Sequence, residues 1–171
     1  MKQESPAPTP LDPDEQAAWR AIVRAVLVLP KTLDAELLAT CGLSLAEYIV
    51  LMHLSEAPGG SMRMNELATE SILSASGVTR LVERMERQGL VVREQAAGDG
   101  RGMTTRLTEA GLERLHEAYP HHLASVRTNA IDHLDGLDLI AFAKAVGSFA
   151  TGEPELHPRR GARRAPALPR A

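Results

Sequence analysis

The sequence is short of residue types on which many protein classes depend: its 171 residues include one cysteine, 3% aromatics and few lysines. The single cysteine, Cys41, excludes an internal disulfide framework and is typical of a reducing cytoplasm. Because aromatics are scarce, the core must be built from Leu, Val, Ile, Ala and Met. No apolar run approaches the roughly 20 residues of a membrane span, and the first residues lack an export signal. We therefore expect a cytoplasmic protein without a membrane partner.

Patterns of catalysis and metal binding are missing as well. The sequence has no nucleophile elbow, no phosphate-binding loop and no paired carboxylates with a plausible pocket, so we expect neither enzyme activity nor a cofactor. Cys41 lies between Leu38 and Leu43 and is interpreted as a small buried hydrophobe rather than an oxidant sensor. Four histidines fall close together, but no two have the i, i+4 spacing that places two metal ligands on one helical face; they are His116, His121, His122 and His133.

Charge is unevenly distributed along the chain. The formal net charge is −3, whereas nucleic-acid-binding domains are often basic. The segment "HPRRGARRAPALPRA" near the end holds five arginines and no acidic residue, so the rest of the chain is more acidic than the total. Any DNA contact must therefore depend on locally placed arginines. Residues 153–171 are predicted to be a disordered basic tail, which either adds phosphate contacts or only keeps the chain soluble.

The beginning of the chain predicts a disordered tail and then a long helix. Residues 1–11 are rich in proline and are predicted to be disordered. Asp12 and Glu15 are placed to cap a helix whose first position is a proline. Pro30 is predicted to kink this helix, because proline removes a backbone donor and clashes with the preceding turn. The apolar stripe of the helix needs a partner, either within the chain or in a second copy; it includes Trp19, Ile22, Val23, Val26 and Leu27.

The middle of the chain predicts three short helices followed by a β-hairpin. The helices are predicted to begin at Ser44, Asn65 and Ser74, and Gly89 ends the third. The third helix has an apolar stripe at i, i+3, i+4, i+7, formed by Val78, Leu81, Val82 and Met85, which is predicted to face the core. A short extended piece, "SMRM", precedes the second of them. The strand-like segments "LVVRE" and "MTTRL" flank a loop with three glycines, which indicates a hairpin with an exposed tip.

Two further helices complete the predicted domain, with Thr108 and Asp135 as their caps. The predicted fold class is mainly α with a small β-hairpin wing. One domain is expected over 12–152, with a winged helix-turn-helix at 44–107 and helical regions at 12–42 and 109–150.

The order of these elements points to DNA. In a winged helix-turn-helix, the helix directly before the hairpin, here the one predicted to begin at Ser74, enters the major groove and its N-terminal side chains reach base edges. Hydroxyls can bond phosphate or bases, arginines can pair with phosphate or guanine, and a glycine allows close backbone approach. At the hairpin tip, Arg101 suits the minor groove and Asp99 can orient its guanidinium. The predicted DNA-binding residues are Arg63, Ser74, Ser76, Gly77, Thr79, Arg80, Arg84, Asp99 and Arg101.

Two alternatives stay open at this stage. Amphipathic helices with arginine and glutamate on the outer face are common, and Glu83 and Glu86 could form ordinary local pairs with Arg80, Arg87 or their neighbours. A winged-helix module that docks an acidic protein partner would also present an arginine-rich face. The wing arginine, Arg101, separates these possibilities, because a DNA reader needs it and a docking module does not.

The stretch "MRMNELATESILSASGVTRLVERMERQGLVVRE", followed by "GDGRGMTTRLTEAG", resembles the multiple-antibiotic-resistance repressor (MarR) family of bacterial transcription regulators. The resemblance implies a homodimer, formed through helices in 12–42 and 109–150, on a pseudo-palindromic operator. It also implies a repressor released by a ligand or another signal. Gly100 departs from the family pattern, since a basic residue usually stands beside the wing arginine, and so does Pro30. Relatives often bind small effectors between the dimer helices and the DNA-binding lobe; Trp19, Tyr48 and His53 are the candidates here, or are plain core.

Overall fold

The computed structural model describes residues 9–71, 73–95 and 102–151 of the chain. They form a mainly helical fold with one small antiparallel sheet, which confirms the predicted fold class. Two short 3-10 turns accompany the main elements. The helices are α1 (Pro13–Cys41), α2 (Leu45–Glu56), α3 (Met64–Glu70), α4 (Ala75–Arg87), α5 (Glu109–Asn129) and α6 (Leu139–Thr151); the strands are β1 (Ser61–Arg63), β2 (Val91–Gln95) and β3 (Met103–Leu107).

The first two helices begin where their capping residues predict. Asp12 Oδ1 accepts a hydrogen bond from the backbone N–H of Glu15 (2.8 Å), and Glu15 Oε2 accepts from Asp12 N–H (2.9 Å). At α2, Ser44 and Glu47 form the same reciprocal arrangement. α1 and α5 each continue through an internal proline as one element; the predicted kink at Pro30 stays a prediction. Within the described ranges no single helix is long and apolar enough to cross a membrane. Only by length and composition would α1 and α2 together be sufficient, and the chain bends by 85° between them.

The predicted cap of α3 at Asn65 is wrong. The helix begins at Met64, directly behind β1, and Arg63 occupies the capping position. The side chain of Glu66 accepts a hydrogen bond from Arg63 N–H (3.1 Å), so the first turn is closed from within the helix. Asn65 therefore lies inside the first turn, where its side chain has no capping role.

The sheet has a third strand beside the predicted hairpin. The strand order is β1-β3-β2, and both pairings are antiparallel. Arg63 lies opposite Thr104, and Val91 lies opposite Leu107. Because β1 leads directly into α3, this pairing ties the start of the helix-turn-helix to the base of the wing.

A single apolar cluster joins the short helices to the sheet. α2 lies at its centre and packs against α1, α3, α4 and α5. The predicted inner stripe of α4 is confirmed as part of this core. The side chains that are almost completely buried include Leu37, Leu43, Val50, Leu51, Leu54, Leu67, Val78, Val82, Met85 and Val91.

The described residues divide into two compact units, one ending at His133 and one beginning at Leu134. The second unit contains α6, whose first turn is capped by Asp138: its Oδ1 accepts from the N–H groups of Ile140 and Ala141, both at 3.0 Å. The predicted cap at Asp135 is therefore wrong. Gly136, with φ of 79°, turns the chain between Asp135 and the helix.

Candidate nucleic-acid interface

The helix α4 has one buried face and one exposed face. Val78 and Val82 are almost completely buried, and Met85 continues the same inner row. This row is held in the core, so it fixes which side of the helix faces outward. Of the residues predicted to bind DNA, Ser76, Arg80 and Arg84 lie exposed on α4, Ser74 is exposed at its cap, and Gly77 and Thr79 are half-buried.

The start of α4 is built around the hydroxyl of Ser74. Its Oγ accepts a hydrogen bond from Gly77 N–H (3.1 Å) and lies 3.4 Å from the Oγ of Ser76. A Cβ at position 77 would lie 3.0 Å from the Ser74 hydroxyl, closer than such atoms normally approach. Gly77 therefore makes room for the cap itself, a purpose that sequence reasoning missed when it assigned the glycine to backbone approach by DNA.

Arg80 is the arginine on the N-terminal half of α4, and it is held only weakly by the rest of the chain. Its Nε donates to the backbone carbonyl of Ser76 at 3.3 Å, and it makes no ion pair with any described residue. The preceding residue, Thr79, donates its hydroxyl proton to the backbone carbonyl of Ala75 (2.8 Å). The guanidinium of Arg80 is consequently free to bind an anion from outside.

Arg84, four residues further along, is held by the protein. Its Nε donates to Oε1 of Glu47 at 3.0 Å, and the side chain of Arg84 is 49% exposed while that of Glu47 is 7% exposed. Burial alone would raise the pKa of Glu47, but hydrogen bonds from Ser44 and Arg84 lower it below its usual value. Sequence reasoning missed this pair because its members are 37 residues apart.

The two glutamates of α4 pair with a strand and not with the arginines of their own helix. Arg93 on β2 donates its N–H and Nε to the carboxylate of Glu86 (3.1 and 2.8 Å) and its Nη1 to Glu83 (3.3 Å). Hydrogen bonds from Arg93 lower the pKa of Glu86. The alternative in which these glutamates neutralise Arg80 or Arg87 is therefore wrong, and both arginines lack an acidic partner among the described residues.

The two strands of the predicted wing belong to the described residues, whereas its tip does not. Asp99 and Arg101 lie outside the described residues, so their assignment stays a prediction. The strands that carry the tip are in place, with Arg106 and Glu94 forming an ion pair across β2 and β3. Arg63 is exposed at the end of β1, in the same sheet.

The three predicted effector residues lie on two helices, Trp19 on α1 and Tyr48 and His53 on α2. Trp19 is 59% exposed, 18 residues before the buried Leu37, which corresponds to about 27 Å along α1. Tyr48 is buried, whereas His53 is half-buried in the last turn of α2. A separate groove of about 360 Å³ opens between α1 and α5; it is lined by Glu36, Ala39, Thr40, His121, Ala124, Ser125 and Thr128. Within residues 9–71, 73–95 and 102–151 no group of three potential metal ligands is found.

Tyr48 stacks instead on His122 of α5, with ring centroids 4.1 Å apart and an angle of 35° between the rings. Burial, followed by the effects of Tyr119 and Glu56, raises the pKa of Tyr48. His122 Nδ1 is buried without a hydrogen-bond partner in the described structure, and burial lowers the pKa of this histidine below 6.5. The contact between α2 and α5 is therefore built for a neutral imidazole.

This contact predicts a pH-dependent stability. The unfolded chain binds a proton at His122 more readily than the folded chain does, so the free energy of unfolding falls as pH drops below about 6.5. We expect His122→Gln to reduce that fall, as measured by urea unfolding at about pH 7.5 and 5.5. His116→Gln, an exposed histidine on the same helix, is the matched control. Equal pH dependence in wild type and His122→Gln would contradict the assignment.

Comparisons with known proteins give a consistent picture. A family model described as MarR family matches residues 42–102. AbsC, a MarR family transcriptional regulator from Streptomyces coelicolor, is 38% identical with a TM-score of 0.76, over 85% of this chain and 100% of that one. Sco3205, a MarR family transcriptional regulator from the same organism solved in complex with DNA, is 31% identical with a TM-score of 0.79, over 86% and 92% of the two chains.

Similarity to curated proteins covers about half of this chain or less. The transcriptional repressor YetL from Bacillus subtilis (strain 168) is 31% identical over 85 residues, which is 50% of this chain and 51% of YetL. The chain spans about half the length of the curated relatives it matches.

Proposed function

Because this chain belongs to the MarR family of transcriptional regulators, we propose that it binds double-stranded DNA sequence-specifically and regulates transcription. The observation that carries the proposal is the outer face of α4. Arg80 is exposed near the start of a helix whose opposite side is locked in the core, and no described acidic residue neutralises it. The similar protein Sco3205 was solved in complex with DNA. Binding, and not catalysis, is the proposed activity.

The proposed roles follow from position on the helix and sheet. By analogy with other winged helix-turn-helix proteins, the residues at the start of α4 are assigned to base edges, and the wing residues Asp99 and Arg101 are assigned to the minor groove. Arg63, in the same sheet as the wing, is assigned to the DNA backbone. The proposed contact set is Arg63, Ser74, Ser76, Gly77, Thr79, Arg80, Arg84, Asp99 and Arg101.

A homodimer is the proposed active form. Apolar side chains are exposed along α1 and α5, including Trp19, Val26 and Leu27 on α1 and Tyr119 and Leu123 on α5. Rows of exposed apolar side chains such as these are typical of surfaces that are buried against another copy of the chain. Two copies would place two recognition helices in successive major grooves, about 10 bp apart, on a pseudo-palindromic operator.

Regulation is proposed to act on the spacing of the two recognition helices. The chain would act in the cytoplasm as a repressor, as YetL is, and a small-molecule effector or another signal would release it. Such a signal must bind the DNA-competent and incompetent states with different affinity. The candidate pocket residues remain Trp19, Tyr48 and His53, and their assembly into one site would require the second copy.

The test is binding of the purified protein to the DNA upstream of its own gene at several salt concentrations, followed by selection from a random library if needed. We expect Arg80→Ala to weaken binding to the preferred sequence by roughly tenfold, because a good arginine–base contact is worth about 1–3 kcal/mol. Arg101→Ala should also weaken it, through loss of the minor-groove contact. Arg24→Ala, an exposed arginine on α1, is the matched control and should bind like wild type.

A winged-helix module that docks an acidic protein is the competing function, since α4 presents unneutralised arginines. The two functions differ in their response to DNA. Selection from a random library that returns no preferred sequence would contradict the regulator and favour the docking module. Tight, strongly salt-dependent binding to a short inverted repeat would exclude the docking module.

A further inference from the structure

The contact between Glu47 and Arg84 assigns a role to a residue that lies outside the recognition helix. We propose that Glu47 is a positioning residue for DNA binding, which orients the guanidinium of Arg84 toward a DNA phosphate. The proposal deepens the proposed function and rests on it.

Glu47 is a rigid anchor. Its Oε2 accepts hydrogen bonds from Ser44 N–H (2.9 Å) and Ser44 Oγ (2.7 Å), and its Oε1 accepts from Arg84 Nε (3.0 Å). The residue is 5% exposed, so water competes little for these oxygens. Both carboxylate oxygens are engaged, and rotation of the group would break bonds on the α2 side and the α4 side at once.

The anchor is tied to the first helix as well. Asp34 of α1 accepts a hydrogen bond through Oδ1 from the N–H of Leu45, the first residue of α2, at 2.8 Å. The start of α2 is thus held by Ser44, Glu47 and Asp34 together. Polar contacts therefore run from α1 through α2 to Arg84 on α4.

Arg84 keeps its outer groups available. Only its Nε is engaged within the described structure, and half of the side chain is exposed. Its two Nη groups can therefore form a forked contact with an anion. Arg84 lies nine residues after the start of α4, about 13 Å along the axis, whereas base reading is concentrated at the N-terminus of a recognition helix. This distance favours phosphate over a base edge.

The sign of the effect distinguishes positioning from simple charge. A glutamate near DNA repels phosphate, so removing it should tighten binding if repulsion is all it contributes. Removing a positioning carboxylate should weaken binding, because Arg84 would then lose rotamer freedom on forming the phosphate contact. Glu47→Gln keeps the size of the side chain and an acceptor while it removes the charge.

The experiment measures binding of the full-length protein to its selected operator and to a random duplex at several salt concentrations, with thermal unfolding of each variant. We expect Glu47→Gln and Arg84→Ala each to lower the affinity of the protein for both duplexes about tenfold, which is the scale of one charge-assisted contact. The salt slope should fall by about 0.9 for Arg84→Ala. The double variant should bind no more weakly than Arg84→Ala, since Glu47 acts through Arg84. Glu70→Gln, an exposed acid at the end of α3, is the matched control and should bind as well as wild type or better.

Three results would overturn the proposal. Binding by Glu47→Gln that equals or exceeds wild type would show that the carboxylate only repels DNA. Additive losses in the double variant would show that it does not act through Arg84. A loss confined to the operator would show that Arg84 reads a base.

Folding defects and failure of the proposed function are separated by further measurements. If Glu47→Gln unfolds at a lower temperature, Arg84→Lys replaces it as the deciding variant. Lysine keeps the positive charge but lacks the guanidinium, which can bind Glu47 through Nε and a phosphate through its Nη groups at the same time. Wild-type affinity for Arg84→Lys would then contradict the proposal, and a loss on both duplexes would support it. A wild-type protein that binds neither duplex would overturn the proposed function, and the role of Glu47 in DNA binding with it.

Discussion

Gly111→Ala is expected to destabilise the protein, although alanine is the better helix former. At most exposed helical positions this exchange gains about 1 kcal/mol. At Gly111, in the first turn of α5, an added Cβ would overlap the carbonyl oxygen of Leu90 and lie 2.8 Å from Cδ1 of Leu107. The carbonyl cannot retreat easily, because it also accepts the N–H of Thr108 at 3.2 Å. Overpacking of this kind costs about 1–3 kcal/mol, so we expect a net loss of up to about 2 kcal/mol and a melting temperature lower by roughly 2–8 °C.

The measurement is thermal and urea unfolding beside a second glycine variant. Gly147→Ala, in the interior of α6, is the matched control because no atom lies within 4 Å of its added Cβ. That variant should be neutral or slightly more stable. A Gly111→Ala protein as stable as wild type would mean that the first turn of α5 does not press on the turn between α4 and β2. The position also bears on the proposed function, since Thr108 Oγ1 donates to the carbonyl of Gly89 (2.7 Å), just after the end of α4.

Val26→Glu is expected to convert the proposed dimer to monomers. Val26 is 66% exposed within one protomer, so a glutamate there costs the isolated fold little. If the α1 stripe is the dimer surface, the same change buries an unpaired charge. We expect the dimer dissociation constant to rise by about 100-fold or more, and tight operator binding to disappear with the second half-site contact.

Sedimentation or light scattering gives the mass, and operator binding gives the functional consequence. Ala21→Glu adds the same charge on α1, about 140° around the helix from Val26, and should remain dimeric. A Val26→Glu protein that stays dimeric with full operator affinity would place the interface elsewhere. A monomer with unchanged operator affinity would contradict the proposed use of two half-sites.

Local patterns predicted the elements well where a few neighbouring residues decide them. The capping boxes of α1 and α2, the cap of α4 at Ser74 and the inner stripe of α4 all depend on residues within two turns of each other. The predicted caps at Asn65 and Asp135 were wrong for two different reasons. Asn65 is not the cap because β1 runs directly into α3, and Asp135 is not the cap because Gly136 turns the chain before α6 begins. A side chain suited to capping marks a helix start only when the backbone leaves it at the right position.

The candidate site was predicted in composition but not in its internal contacts. Periodicity and cap chemistry placed the arginines on the outer face of α4, because a helix of that pattern can bury only one side. Which arginines stay available was decided by packing. Glu47 comes from another helix to hold Arg84, and Arg93 comes from a strand to take Glu83 and Glu86, leaving Arg80 and Arg87 without an acidic partner among the described residues. Ion pairs between distant segments exist only when the fold brings them within about 4 Å, and side-chain spacing along the chain carries no information about that distance.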